Sequence, residues 1–206
     1  MIKEACVESL AQAINAERKG ADRIELCSDL ANDGLTPEFK LIESIRKQVN
    51  IPVRIMVRPR KGDFCYSDSE FATMKDTIDF CKDASVEGVV FGFCRSDDTL
   101  NVEAISDLAI NARPLKVTIH KAIDVCGNPL NEIKELISLN LIDSVLTSGG
   151  KRTAFEGVET LKSMISLADG KIEIIVCGKV TDTNLVELHH QLQAPAYHGK
   201  LIVGTI

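Results

Sequence analysis

The strongest constraint in this sequence is a regular alternation of short apolar runs with stretches of helical periodicity. Eight strand-like runs are separated by seven stretches that carry an apolar stripe at helical spacing. The predicted strands cover residues 2–6, 23–27, 53–57, 88–93, 115–120, 143–147, 171–177 and 196–203. Strict alternation of this kind predicts parallel strands covered by helices. Eight units predict an α/β fold, a TIM (β/α)8 barrel of residues 1–206 that lacks or shortens the last helix.

Local signals predict where individual helices begin. Ser67 and Glu70 have capping-box spacing at the start of a helix that extends to about residue 82. Thr36 is expected to cap a helix over residues 37–49, with Pro37 in its first turn. Because no eighth helix is predicted to cover the seam between the last and first strands, we expect a homo-oligomer, and a dimer before any larger assembly.

Charge and composition argue against several classes of function. The net charge is −6 and no basic stripe is present, so we expect no nucleic-acid partner. No apolar run has the length of a membrane helix and the N-terminus lacks the layout of a signal peptide, so we predict a cytoplasmic protein without a membrane partner. Seven cysteines without a CxxC pair indicate reduced thiols. No GxGxxG follows the first strand, so no nucleotide cofactor is expected.

The third predicted strand leads directly into a charged loop, RPRKGDF. Pro59 cannot donate a ladder hydrogen bond, so it marks the end of strand pairing. Functional residues of a TIM barrel lie at the carboxyl ends of its strands, so we expect Arg58 and Arg60 to be exposed to the barrel mouth. Guanidinium groups there could bind a carboxylate or phosphate, and they could equally form ion pairs with acidic residues of the chain.

Cys6 and Cys27 end the first and second predicted strands at equivalent positions. Adjacent strands lie about 4.8 Å apart, so the two thiols are expected to converge. Soft thiolates favour Cu(I), whereas structural zinc would need four ligands; free cysteines are also common as small buried hydrophobes. Glu25 shares a strand face with Cys27, and because a buried carboxylate needs a partner, we expect it to pair with Arg58. Strand interiors are expected to be mostly apolar.

The fifth and sixth strands end in further polar groups. His120 has the residue type for acid–base chemistry near neutral pH, and Asp124 could orient it. Ser148 and Gly149, followed by Gly150, could bind an anion through backbone N–H groups, although glycines after a strand also form ordinary turns. These residues give a hypothetical catalytic set, His120, Asp124 and Glu25, and a hypothetical substrate-binding set, Arg58, Arg60, Ser148 and Gly149.

The order of these motifs resembles the CutC copper homeostasis family. The matching segments extend over nearly the whole chain and are EACVES, GADRIELCS, GLTP, RPRKGDFCYSD, VTIHKAID, VLTSGG and YHG. The resemblance implies a TIM barrel, a cytosolic protein linked to copper tolerance, and Cu(I) at Cys6 and Cys27. Lys121 departs from the family pattern, where an arginine usually follows the histidine.

Three hypotheses therefore remain at the level of sequence. The first is a copper homeostasis protein that binds Cu(I) at the cysteine pair. The second is a TIM-barrel enzyme of lyase, isomerase or hydrolase type, acting on a small anionic molecule held by Arg58 and Arg60. The third is purely structural, with the charged groups of the barrel mouth forming an ion-pair network. The sequence alone does not decide whether the protein is an enzyme.

Overall fold

Eight parallel strands close into one barrel in the computed structural model, which describes all 206 residues. Hydrogen bonding follows sequence order around the barrel, and the eighth strand pairs with the first. In chain order the strands β1 to β8 are Ile2–Val7, Arg23–Leu26, Val53–Met56, Gly88–Phe91, Lys116–Ile119, Ser144–Thr147, Glu173–Val176 and Ala196–Gly199. The predicted TIM barrel is confirmed.

Seven helices surround the barrel, one in each connection between successive strands. In chain order the helices α1 to α7 are Leu10–Arg18, Phe39–Gln48, Asp68–Asp83, Val102–Ala112, Pro129–Leu139, Val158–Ala168 and Leu185–Leu192. Two short 3-10 turns, Leu30–Asn32 and Lys121–Val125, follow β2 and β5. No helix follows β8, as predicted from the sequence. None of the helices is both long and apolar enough to cross a membrane.

The two helix starts predicted from local signals have opposite outcomes. The capping box before α3 is confirmed, since the Ser67 hydroxyl accepts from the Glu70 N–H and the Glu70 carboxylate accepts from the Ser67 N–H. The cap at Thr36 is wrong, because α2 begins at Phe39. The Thr36 hydroxyl instead accepts a hydrogen bond of 2.8 Å from the N–H of Arg58, which joins the loop before α2 to the end of β3.

Most of the apolar core lies between the strands and the helices, outside the barrel. One cluster of 52 buried apolar residues joins one face of the strands to the helices, whereas each of two clusters inside the barrel contains only four. Side chains of a strand alternate between its two faces. The outward positions of these strands are therefore apolar, and the inward positions are free to carry polar groups.

The barrel interior is accordingly more polar than the sequence analysis expected. Arg23 and Arg54 are each 4% exposed. The Arg23 guanidinium pairs with Glu4 and Glu173, and that of Arg54 pairs with Glu87 and donates to the Thr118 and Ser144 hydroxyls. These bonds connect six strands across the N-terminal part of the barrel. The two small apolar clusters inside the barrel lie nearer the carboxyl ends of the strands than this polar layer, and they form the base of the barrel mouth.

Candidate functional site

Cys6 and Cys27 lie side by side at the base of the barrel mouth. Their sulfur atoms are 3.9 Å apart, and the residues are 6% and 1% exposed. Oε2 of Glu25 lies 3.6 Å from the Cys6 sulfur and 3.4 Å from the Cys27 sulfur. The strand register explains this convergence, because Cys6 is directly opposite Glu25 and Cys27 is two residues further along the same strand face. Two soft sulfur donors and one hard carboxylate oxygen therefore lie within 3.9 Å of one another in a buried position.

The two thiols have opposite protonation behaviour. A hydrogen bond from the Cys27 thiol lowers the pKa of Cys6 to about 5. Burial of Cys6 opposes this shift, and the neighbouring His198 adds to it. The same bond, together with burial, raises the pKa of Cys27 well above its ordinary value. Burial raises the pKa of Glu25 to about 8, although the charge of His198 opposes this. The arrangement thus favours the thiolate at Cys6 and the thiol at Cys27, and the thiolate is the form that binds a metal.

His198 on β8 joins this group, and sequence reasoning did not select it as a site residue. Its Nδ1 lies 2.9 Å from Oε1 of Glu4, and its Nε2 lies 3.8 Å from Oε2 of Glu25. Burial opposes protonation of the ring, but Glu25, Cys6 and Glu4 raise the pKa of His198 well above its ordinary value. Glu4 is directly opposite His198 across the β1–β8 pair. To predict this contact from the sequence, one would need to know both which residues face inward and how β8 aligns with β1 where the barrel closes.

The two arginines after β3 occupy different environments. Arg58 is 5% exposed and lines the mouth, where its guanidinium donates to the carbonyls of Asn32, Gly34 and Gly62 at 3.0–3.1 Å. The predicted pairing of Arg58 with Glu25 is not formed. Arg60 does not line the mouth, because its guanidinium is held outside by the Asp63 and Glu70 carboxylates. The structure therefore brings only one of the two predicted anion-binding arginines to the mouth.

His120 lines the mouth on the β5 side and is 3% exposed. Its Nδ1 accepts a hydrogen bond of 3.1 Å from the N–H of Ala122, and its Nε2 has no partner. Burial and the charge of Arg58 lower the pKa of His120 to about 3, so the ring is neutral near pH 7. A neutral ring whose Nδ1 accepts carries its proton on Nε2. His120 thus presents an N–H donor to the mouth.

Asp124 does not contact His120 and is instead bound by the turn after β6. Its carboxylate accepts hydrogen bonds from the hydroxyls of Thr147 and Ser148, at 2.5 and 2.9 Å. It also accepts from the N–H groups of Ser148 and Gly150, at 3.0 and 2.9 Å. The N–H of Gly149 bonds to the Thr147 hydroxyl. The N–H groups of Ser148 and Gly150 are therefore occupied by a carboxylate of the chain itself.

Gly92 fixes the position of the His120 ring, and this gives a testable prediction. A Cβ added at Gly92 would lie 2.6 Å from the Cβ of Ala122 and 2.6 Å from Cε1 and Nδ1 of His120. Gly92→Ala is expected to lower the free energy of unfolding by about 1–3 kcal/mol, because both neighbours are in a packed core. Urea unfolding followed by circular dichroism measures the change.

Gly127→Ala is the matched control for this prediction, because a Cβ at Gly127 would meet no atom within 4 Å. We expect the control to change the free energy of unfolding by less than about 0.5 kcal/mol. Equal urea midpoints for the two variants would contradict the close packing of Gly92 against His120.

The mouth encloses a cavity of about 1140 Å³ at the carboxyl ends of the strands. Both cysteines, Glu25, Arg58, His120 and His198 line it. Its lining also includes Phe64, whose ring lies 4.7 Å from that of His120 and 5.0 Å from the Cζ of Arg58. Catalytic and binding groups of TIM barrels are found at this end of the barrel. The predicted site residues other than Arg60, Ser148 and Gly149 therefore share one cavity with His198.

Comparison with known proteins identifies the family. The family model of the CutC family matches residues 1–202. The copper homeostasis protein cutC homolog of Homo sapiens is 40% identical over 197 residues, which is 96% of this chain and 72% of that protein. The homolog of Mus musculus has the same identity and coverage.

Solved structures agree with this assignment. A crystal structure of the copper homeostasis protein CutC from Streptococcus agalactiae superposes with a TM-score of 0.92 at 28% identity, covering 98% of this chain and 99% of that one. Phosphoribosylanthranilate isomerase from Thermotoga maritima superposes at 0.60 with 11% identity over 97% of this chain and 87% of that one, which reflects the barrel fold alone. The chain belongs to the CutC copper homeostasis family.

Proposed function

We propose that this protein binds Cu(I) as its cargo through the sulfur atoms of Cys6 and Cys27, with Cys27 losing its proton when the metal binds. The observation that carries the proposal is the 3.9 Å separation of two buried sulfur atoms that line an open cavity. Soft thiolate ligands favour Cu(I), zinc and iron–sulfur clusters, and among these Cu(I) suits a site with only two sulfur ligands. Membership of a copper homeostasis family supports the same ion. We expect the protein to act in the cytoplasm.

The other donors near the sulfur pair fit this assignment better than they fit zinc. Glu25 is the only further carboxylate or imidazole whose donor atom groups with both sulfurs, whereas His198 groups with Glu4 and Glu25. Structural zinc sites are almost always closed by four ligands in a tetrahedron. Oε2 of Glu25 lies within 3.6 Å of both sulfur atoms, and Oε1 is buried without a hydrogen-bond partner. With copper bound, the Glu25 carboxylate would be an auxiliary ligand and the two sulfur atoms would be the main ones.

A competition titration tests the proposal. Cu(I) is titrated under anaerobic conditions against a chromogenic chelator, with Cys65→Ser as the background because Cys65 is the one exposed cysteine. We expect one tightly bound Cu(I) in this background and its loss in Cys6→Ser/Cys27→Ser, because an alcohol is a hard ligand. The same titration with Zn²⁺ is expected to show weaker binding.

A second buried cysteine pair provides the matched control. Cys94 and Cys126 are 5% and 6% exposed, and both thiols lie within 3.7 Å of the carbonyl oxygen of Ala122. Cys94→Ser/Cys126→Ser is expected to retain the full Cu(I) affinity. Unchanged affinity in Cys6→Ser/Cys27→Ser, or equal losses in the two double variants, would contradict the proposed site.

A further inference from the structure

Arg58 is the one buried arginine of this chain without a carboxylate partner. Arg23 and Arg54, the other two, each pair with two glutamates. Arg58 has only the neutral carbonyls of three loop residues as acceptors, and its Nε has no partner. No acidic group lies within 4.0 Å of its guanidinium nitrogens. Buried charges in proteins are normally paired, so the position of Arg58 on the cavity wall leaves a positive charge without a counter-charge.

A second unpartnered group lies on the same wall. His120 lines the cavity, and its Nε2 is buried and has no hydrogen-bond partner. Because Nδ1 accepts from Ala122, the free position on the neutral ring is a donor. The Phe64 ring contacts both the Arg58 guanidinium and the His120 imidazole. Buried donors without partners are rare in folded proteins, so this pair indicates a missing acceptor.

The rim of the cavity has a local excess of positive charge, although the whole chain carries −6. Besides Arg58, the cationic residues that line the cavity are Lys121, Lys151, Arg152, Lys179 and Lys200. The acidic residues that line it are Glu25, Asp33, Asp124 and Glu156. Of these, the Asp124 carboxylate is already satisfied by four hydrogen bonds within the chain. Clustered cations around a concave site raise the local concentration of anions.

We propose that the cavity binds a small organic anion, one of whose carboxylate or phosphate oxygens accepts a hydrogen bond from Nε2 of His120 and supplies the counter-charge of Arg58. This anion site is separate from the proposed Cu(I) site, and the argument for it does not depend on the cysteine pair. A cavity of about 1140 Å³ accommodates a metabolite of ordinary size. The two unpartnered donors are part of the folded wall, so the anion would enter a preformed site.

Calorimetric titrations with two simple probes test this proposal on metal-free protein. Inorganic phosphate and malonate represent the two sources of anionic oxygen, and sodium chloride at matched ionic strength is the baseline. In His120→Asn the shorter side chain retains an acceptor for the Ala122 N–H and removes the donor at Nε2. We expect at least one probe to bind the wild type and to bind His120→Asn about tenfold more weakly, as expected for a lost hydrogen bond to a charged group.

His190→Asn is the matched control, since His190 is exposed on α7 and does not line the cavity. A response to phosphate alone would assign phosphate-bearing ligands, and a response to malonate alone would assign carboxylates. If neither probe binds the wild type, or if His120→Asn and His190→Asn bind equally well, the proposal is overturned. Should His120→Asn fail to fold, the imidazole N–H resonance of His120 in the wild type decides, because it must shift on addition of the bound probe.

Discussion

Replacing Arg23 with methionine is expected to lower the free energy of unfolding by about 3–5 kcal/mol, because it breaks a buried ion pair from one side only. The Glu4 carboxylate is 1% exposed and bonds to the Arg23 guanidinium. Burial raises the pKa of Glu4, but the hydrogen bond from His198 and the charge of Arg23 together lower it to about 2. Methionine fills part of the space of Arg23 and leaves this carboxylate without its main charge partner.

The expected loss corresponds to a melting temperature lower by roughly 6–20 °C in a chain of this length. Urea unfolding and thermal melting, both followed by circular dichroism, measure the two quantities. Arg95→Met is the control, because the ion pair of Arg95 with Glu103 is on the surface, where the side chains are 39% and 78% exposed. Surface pairs contribute about 0–1 kcal/mol, so the control should change little. Equal losses in the two variants would contradict a stabilising role for the interior ion pairs.

The Arg23 contact also connects the barrel interior to the sulfur pair. Glu4 bonds to Arg23 through one carboxylate oxygen and to His198 through the other, and His198 lies 3.8 Å from Glu25. Glu25 in turn lies within 3.6 Å of both cysteine sulfurs. Supporting contacts of this kind orient the groups around a metal and commonly change its affinity about 10–100-fold when removed. We therefore expect the polar interior also to help position the groups at the base of the mouth.

The order and type of the structural elements could be predicted because each depends on nearby residues. Apolar periodicity predicts the eight units, and the Ser67–Glu70 spacing predicts the start of α3. The actual role of Thr36 could not be predicted, because its hydroxyl bonds to Arg58, which is 22 positions away. The polar interior could be predicted in part: β2 alternates charged and apolar residues, which indicates two different faces, and β3 has Arg54 between Val53 and Ile55.

In the candidate site too, contacts between adjacent strands could be predicted, whereas contacts made by distant loops could not. Convergence of Cys6 and Cys27 follows from strand parity and the adjacency of β1 and β2. Two of the three carbonyl acceptors of Arg58 lie in the loop after β2, where Asp33 and Gly34 have positive φ values that sequence patterns do not define. The partner of Asp124 is the turn after β6, which becomes its neighbour only through the closed barrel.

Removing the Asp124 carboxylate is expected to cost roughly 2–4 kcal/mol of unfolding free energy, because Asp124→Ala leaves several donors without an acceptor. Thr147 and Ser148 are both fully buried, so water cannot readily replace the lost bonds. The turn after β6 would then be an empty anion site with two backbone N–H groups and two hydroxyls directed into it. Formate is small enough to enter such a space and carries the same carboxylate.

We therefore expect formate to raise the melting temperature of Asp124→Ala while leaving that of the wild type unchanged, with sodium chloride at the same ionic strength as the baseline. Asp97→Ala is the control, because the exposed carboxylate of Asp97 bonds only to Thr99 and holds no buried turn. That variant should lose less than about 1 kcal/mol and show no response to formate. A melting temperature of Asp124→Ala that is independent of formate would show that the turn binds Asp124 through its local chain geometry and has no general affinity for a carboxylate.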